Sequence, residues 1–179
     1  MHKKVLWITR TAVLLALLIA VQWATSPTQA FAGQYITGSL VNCVLAVAAL
    51  LGGFWSGVVV ALVSPFCAFL LNIGPRLIQI VPAIAVGNLI FVITLSQLYG
   101  KKPPLWRQAL TVLGAAGLKF AVLYAGVNHL VIPMMGEALK PKQAATFQVM
   151  FSWPQAVTAV IGGTLAMLIL PVLKKAIKD

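Results

Sequence analysis

Six apolar stretches, each near the length that crosses a lipid bilayer, leave this chain few folds to choose from. They run from Leu6 to Ala24, Ile36 to Leu51, Phe54 to Leu71, Leu77 to Tyr99, Gln108 to Met134 and Thr146 to Leu173. In hydrocarbon every backbone N–H and C=O must be satisfied within its own segment, so runs of this kind become helices. Composition agrees: 61% of residues are hydrophobic and 8% charged, against about 25% charged in soluble domains. The expected fold is an all-α integral membrane protein, one domain over residues 1–179 built from six transmembrane helices. The second span is short. The fifth is long and should tilt or bend, with Gly114, Gly117 and Gly126 as places to do so. Only the Gly52-Gly53 neighbourhood joins the second and third spans, which predicts a tight antiparallel helical hairpin. Pro65 and Pro82 fall inside spans and predict kinks.

Orientation follows from the basic residues. Lys3, Lys4 and Arg10 flank the start, Lys101, Lys102 and Arg107 the turn between spans four and five, and Lys174, Lys175 and Lys178 the end. With six spans these clusters fall on one side, and the positive-inside rule makes that side cytoplasmic, with both termini. Arg76, Lys140 and Lys142 fall on the other. Trp7, Trp55 and Trp106 read as anchors at the inner interface. The net charge of +11 is therefore a topology signal and not a nucleic-acid footprint, since no basic patch interleaves with aromatics. The N-terminus also has signal-peptide features: Lys3 and Lys4, an apolar run from Ala12 to Val21, and Ala30-Phe31-Ala32 as a cleavage-like site. Cleavage would leave five spans and an outside N-terminus, so retention of the first span is expected.

Glu137 and Asp179 are the only acidic residues, and neither lies in an apolar run. Ion-driven carriers generally place a carboxylate at membrane depth. No G-x-x-x-x-G-K-[ST] loop occurs either, so ATP is not handled by this chain. Catalysis would require acid–base or metal groups in a shared cavity, and one lysine and one histidine do not supply them. No cofactor and no metal site is expected; Cys43 and Cys67 read as buried hydrophobes. A chain built like a transporter without an energy source points to a binding subunit driven by other proteins.

Polar residues inside lipid usually face a cavity or a partner. Lys119 is the most pointed of them. It lies twelve residues, or about 18 Å of helix, from the inner boundary at Arg107, too far to snorkel there easily. Without an acid at its depth it must meet carbonyls, water or an anionic ligand, or be neutral. It reads either as the counter-charge for a ligand carboxylate or phosphate, or as a lysine solvated by a shallow outer cavity. Gln148, Ser152 and Gln155, at i, i+4 and i+7, share a face of the sixth helix, with Trp153 beside it and Pro154 as a bend. Asn72, Arg76 and Gln79 gather at the outer start of the fourth helix, Arg76 being either a boundary residue or a clamp for a planar anion. Asn128 and His129 lie near the outer end of the fifth, where a histidine is more often an interfacial hydrogen-bonding group. Asn42 and Asn88 read first as interhelical hydrogen-bond partners. Of the aromatics Phe66, Phe69, Tyr124, Phe147, Phe151 and Trp153, only Tyr124 and Trp153 rise above ordinary packing.

Ala12, Ala16 and Ala20 form a small-residue stripe on the first helix. Such a stripe lets another helix approach closely, whether the chain's own or a partner's. With its basic start, Thr9-Arg10-Thr11-Ala12-Val13-Leu14-Leu15-Ala16-Leu17-Leu18-Ile19-Ala20, the hairpin Gly52-Gly53-Phe54-Trp55-Ser56-Gly57 and the basic C-terminus, the six-helix chain resembles the substrate-binding S-components of energy-coupling factor transporters, the vitamin importers of prokaryotes. The resemblance implies a protein of the prokaryotic plasma membrane that captures a vitamin-like molecule near the outer face. It implies docking on a transmembrane coupling subunit through Ala12, Ala16 and Ala20, two cytoplasmic ATPase subunits as the engine, and inward delivery by toppling in the bilayer. It also makes Gln34 and Tyr35, in the first outer loop, lid candidates. The competing expectation is a self-sufficient facilitator or small secondary carrier. Three cationic side chains in the outer half favour a ligand with an acidic group and select no vitamin.

Overall fold

The computed structural model describes residues 2–26, 31–75, 77–100 and 103–176. Every regular element among them is helical: α1 (His2–Thr25), α2 (Phe31–Val47), α3 (Phe54–Leu70), α4 (Val81–Leu98), α5 (Leu105–Tyr124), α6 (Ile132–Met135), α7 (Pro141–Met150) and α8 (Trp153–Ala176). Wide π-helical turns at Ala48–Gly52 and Ala125–Val131 extend α2 and join α5 to α6. Among the described residues five helical stretches are long and apolar enough to cross a membrane: Lys4–Thr25, Gly33–Gly52, Ile78–Leu98, Leu105–Ala138 and Pro141–Ala176. The remaining expected span, the third, corresponds to α3, apolar but only 17 residues long. The chain is thus a multi-span membrane bundle. Lys101, Lys102, Lys178 and Ala30 lie outside the described residues.

Gly53 sits at φ +94°, a conformation a side chain would strain, and turns the chain sharply from α2 into α3. The expected hairpin forms only at this turn. Beyond it the helices diverge: α3 packs mainly on α4 and α1, whereas α2 packs most extensively on α8. The α2–α8 crossing is a backbone-to-backbone approach. A Cβ on Gly162 would run into the Ser39 carbonyl oxygen and into Asn42 Cβ, and one on Gly38 would meet Thr158 Cγ2 at 2.9 Å. Small residues at such a crossing supply the close packing that holds helices together where no water remains to be expelled.

Three local features bear on the sequence expectations, the first as a departure from them. Pro82 lies in the first turn of α4 and not in a helix interior, so its missing N–H costs nothing; Pro65 is inside α3 as expected. The long fifth span changes pitch at Ala125–Val131, which contains Gly126, while Gly114 and Gly117 lie in regular helix facing open space. The sixth span is interrupted at Phe151 and Ser152. Pro154 has no N–H to give the Met150 carbonyl four residues back, and α7 and α8 part there. Two side chains take the orphaned oxygen: Gln34 Nε2 donates to Met150 O at 2.8 Å and Gln155 Nε2 at 3.0 Å.

The main core fills the half of the bundle that holds the α2–α3 turn, around Leu18, Leu45, Val60, Phe91, Leu95 and Leu170. A smaller cluster, Ile80, Leu123, Val127, Val131 and Phe151, lies toward the other end.

Candidate ligand-binding site

Because α2 and α3 diverge, a cavity of about 610 Å³ remains at the end of the bundle away from their turn. The volume lies within the roughly 300–1,000 Å³ of typical small-molecule sites. Gln22 of α1, Thr37 and Val41 of α2, Ser64 and Phe69 of α3, Ile84 of α4, Leu123 of α5, Phe147 of α7 and Thr158 of α8 all contribute to its wall.

Lys119, Asn42 and Asn88 form the polar centre of this wall. Lys119 is 3% exposed. Its Nζ donates to Asn42 Oδ1 at 2.6 Å and to Asn88 Oδ1 at 2.7 Å, and lies 5.4 Å from the centroid of the Phe91 ring. Asn42 Nδ2 in turn donates to the Gly38 carbonyl at 2.8 Å and to Thr158 Oγ1 at 3.4 Å. The network therefore ties α2, α4, α5 and α8 together around one lysine side chain. A buried ammonium with paired protons can persist where an unpaired one could not.

Of the residues proposed from the sequence as ligand or lid contacts, the cavity collects Lys119, Gln34 and Gln155. The others lie elsewhere for local reasons. Asn72 takes a left-handed conformation, φ +56°, and closes α3: Ile73 N–H donates to the Ala68 carbonyl at 2.8 Å, the six-to-one bond of a helix-ending turn. Gln79 is exposed on the turn before α4. Tyr124 and His129 meet edge-on at 5.4 Å on the exposed side of α5 and its wide turn. Asn128 is half-buried on that turn, its Nδ2 without an acceptor among the described residues. The helix break separates Gln148, exposed on α7, from Ser152 in the joint and Gln155 on α8, so the three do not share a face. Trp153, 55% exposed at the start of α8, packs 6.0 Å from Tyr35; Tyr35, like Gln34, lies in helix α2, which begins at Phe31, and not in the outer loop where the sequence placed both. Arg76 lies outside the described residues. The aromatic rings on the cavity are Phe69, Phe147 and Phe151 rather than Tyr124 and Trp153.

Sequence reasoning did not assign Gln22, Thr37, Ser64, Thr146 or Thr158 to the wall. It read Asn42 and Asn88 as helix-to-helix partners, which they are through Lys119. One signal could have gathered the central three. Asn42 is eleven residues from the start of α2, Asn88 ten from the turn beginning at Ile78, and Lys119 twelve from the end of the wide turn at Val131. At about 1.5 Å per residue all three sit some 15–18 Å from the same end of the bundle.

On α1, Thr11, Leu18 and Gln22 face inward, and Thr11 Oγ1 lies 2.8 Å from Ser56 Oγ of α3. Ala12, Ala16 and Ala20 face outward and are exposed. Among the described residues no group of three or more His, Cys, Asp or Glu side chains stands where it could hold a metal ion.

Residues 7–174 match the family described as ECF transporter, substrate-specific component. The match spans nearly the whole chain, and the protein belongs to that family. It is a membrane transport component of the energy-coupling factor type. No curated protein and no solved structure matches it.

Proposed function

We propose that this chain is the high-affinity capture subunit of an importer for a vitamin or vitamin precursor. It binds its cargo in the cavity around Lys119 and delivers it by docking on a coupling subunit driven by two cytoplasmic ATPases. The observation that carries the reading is the cavity: ligand-sized, confined to one end of the bundle, and built around a single polar centre. A conduit would need an opening at both ends.

The basic clusters at the start, at residues 101–107 and at the end put both termini in the cytoplasm once α3 is counted as a sixth crossing. The cavity then opens outward, as capture requires. The outward-facing Ala12, Ala16 and Ala20 supply a smooth helix face against which a coupling helix can lie. Gln34 and Tyr35 would close over the cargo, the first already fixed to the Met150 carbonyl at the joint between α7 and α8.

Uptake by intact cells tests the reading. Inactivating the partner ATPases should abolish it while the membrane-bound chain still holds its ligand. Uptake that persists without ATPase activity would favour a self-sufficient carrier and overturn the proposal.

A further inference from the structure

We infer that the cargo is a monoanion: a compound with one carboxylate, seated on Lys119 and Asn88, and a flat apolar body toward the cavity mouth. The inference rests on the capture-subunit reading and narrows its ligand.

The donor inventory comes first. An ammonium has three N–H donors, and Lys119 spends two on Asn42 and Asn88, leaving one. Asn88 turns its Oδ1 to the lysine, and its Nδ2 finds no acceptor among the described residues. The cavity centre thus offers two unused donors side by side, which suits the two oxygens of a carboxylate. No acidic side chain lines the cavity; Glu137 is exposed on the turn Gly136–Ala138. A single cation at membrane depth with only neutral partners is costly, and a ligand anion removes that cost. One cation balances one negative charge. Among the described residues of the lining, a phosphate dianion would bury a second charge with no second cation to pair it.

Two further observations, at other points of the wall, extend the argument. Beside the cavity, Lys140, Lys142 and Gln143 border a shallow depression of about 290 Å³ that shares Thr146 and Phe147 with it. Paired lysines at an entrance raise the local concentration of anions and speed their arrival. On the α1 side, Gln22 Oε1 is buried on the wall with no hydrogen-bond partner among the described residues. It can accept from an N–H or O–H on the cargo. Phe69, Phe147 and Phe151 also line the wall and give aromatic surface for a flat body.

The test uses the purified full chain in detergent, the Lys119→Met and Asn88→Asp variants, and the small-molecule fraction of a yeast extract. Each protein is incubated with the extract, washed and denatured, and what it held is identified by high-resolution mass spectrometry before and after methyl esterification. Asn88→Asp keeps the lysine hydrogen bond and sets a carboxylate of the protein itself against Lys119, so it reports even where Lys119→Met fails to fold. The wild-type chain should retain a compound that takes up one ester group, and both variants that fold should retain it at least about thirtyfold less. A neutral, cationic or phosphorylated compound on the wild type would overturn the inference and leave the capture role standing. So would a carboxylate held equally by Asn88→Asp. A wild-type chain that retains nothing would overturn the capture role and the inference with it.

Discussion

Taking an ammonium out of water is costly unless its protons find acceptors, and two asparagines take two of the three on Lys119. They are not equivalent. Asn42 also donates to the Gly38 carbonyl and to Thr158, so its loss frees groups on three helices. Asn42→Ala should lower stability by about 2–3 kcal/mol and Asn88→Ala by about 1–2 kcal/mol, read as melting temperatures of the detergent-solubilised protein. Equal effects would contradict the network as drawn. Lys119 was conspicuous in the sequence as the one charge far from any span boundary. Its partners were not, because matching depth across helices requires helix ends, and the wide turn at Ala125–Val131 and the start of α2 at Phe31 move those ends by several residues. Pro154 was legible as a bend. That the bend frees the Met150 carbonyl for two glutamines was not, since one of them, Gln34, is remote in sequence.

At the level of elements, the α2–α8 crossing places the cavity by leaving α3 free to diverge. Gly162→Ala puts a methyl group against the Ser39 carbonyl and Asn42. It should cost about 1–3 kcal/mol. Gly114 has nothing within 4 Å of its added Cβ, and Gly114→Ala should be neutral or stabilise by up to about 1 kcal/mol. Thermal unfolding of the two variants side by side checks the pair, and the reverse order would mean the helices cross elsewhere. Apolar runs and prolines made the number and rough extent of the helices legible in advance. The pairing of helices was not, because in an all-apolar chain every face of a helix looks alike. Only the glycines at 38 and 162 mark the contact, and glycines that mark nothing, such as Gly114 and Gly117, are as frequent.

The whole molecule joins a cavity at one end of the bundle to an exposed alanine face on its most peripheral helix, and the two are separable. Ala16→Trp changes only the outer face of α1. It should leave ligand retention within about twofold of wild type, while uptake in cells carrying the coupling subunit and ATPases falls at least about tenfold. Loss of retention and uptake together would place Ala16 in the binding wall instead. The central claim is that the chain captures and does not pump. The most direct test reconstitutes it alone in sealed liposomes with the compound it retains from extract outside. The account predicts binding that saturates near one molecule per chain and no accumulation in the lumen until the coupling subunit, ATPases and ATP are added. Accumulation against a gradient by the chain alone would contradict it.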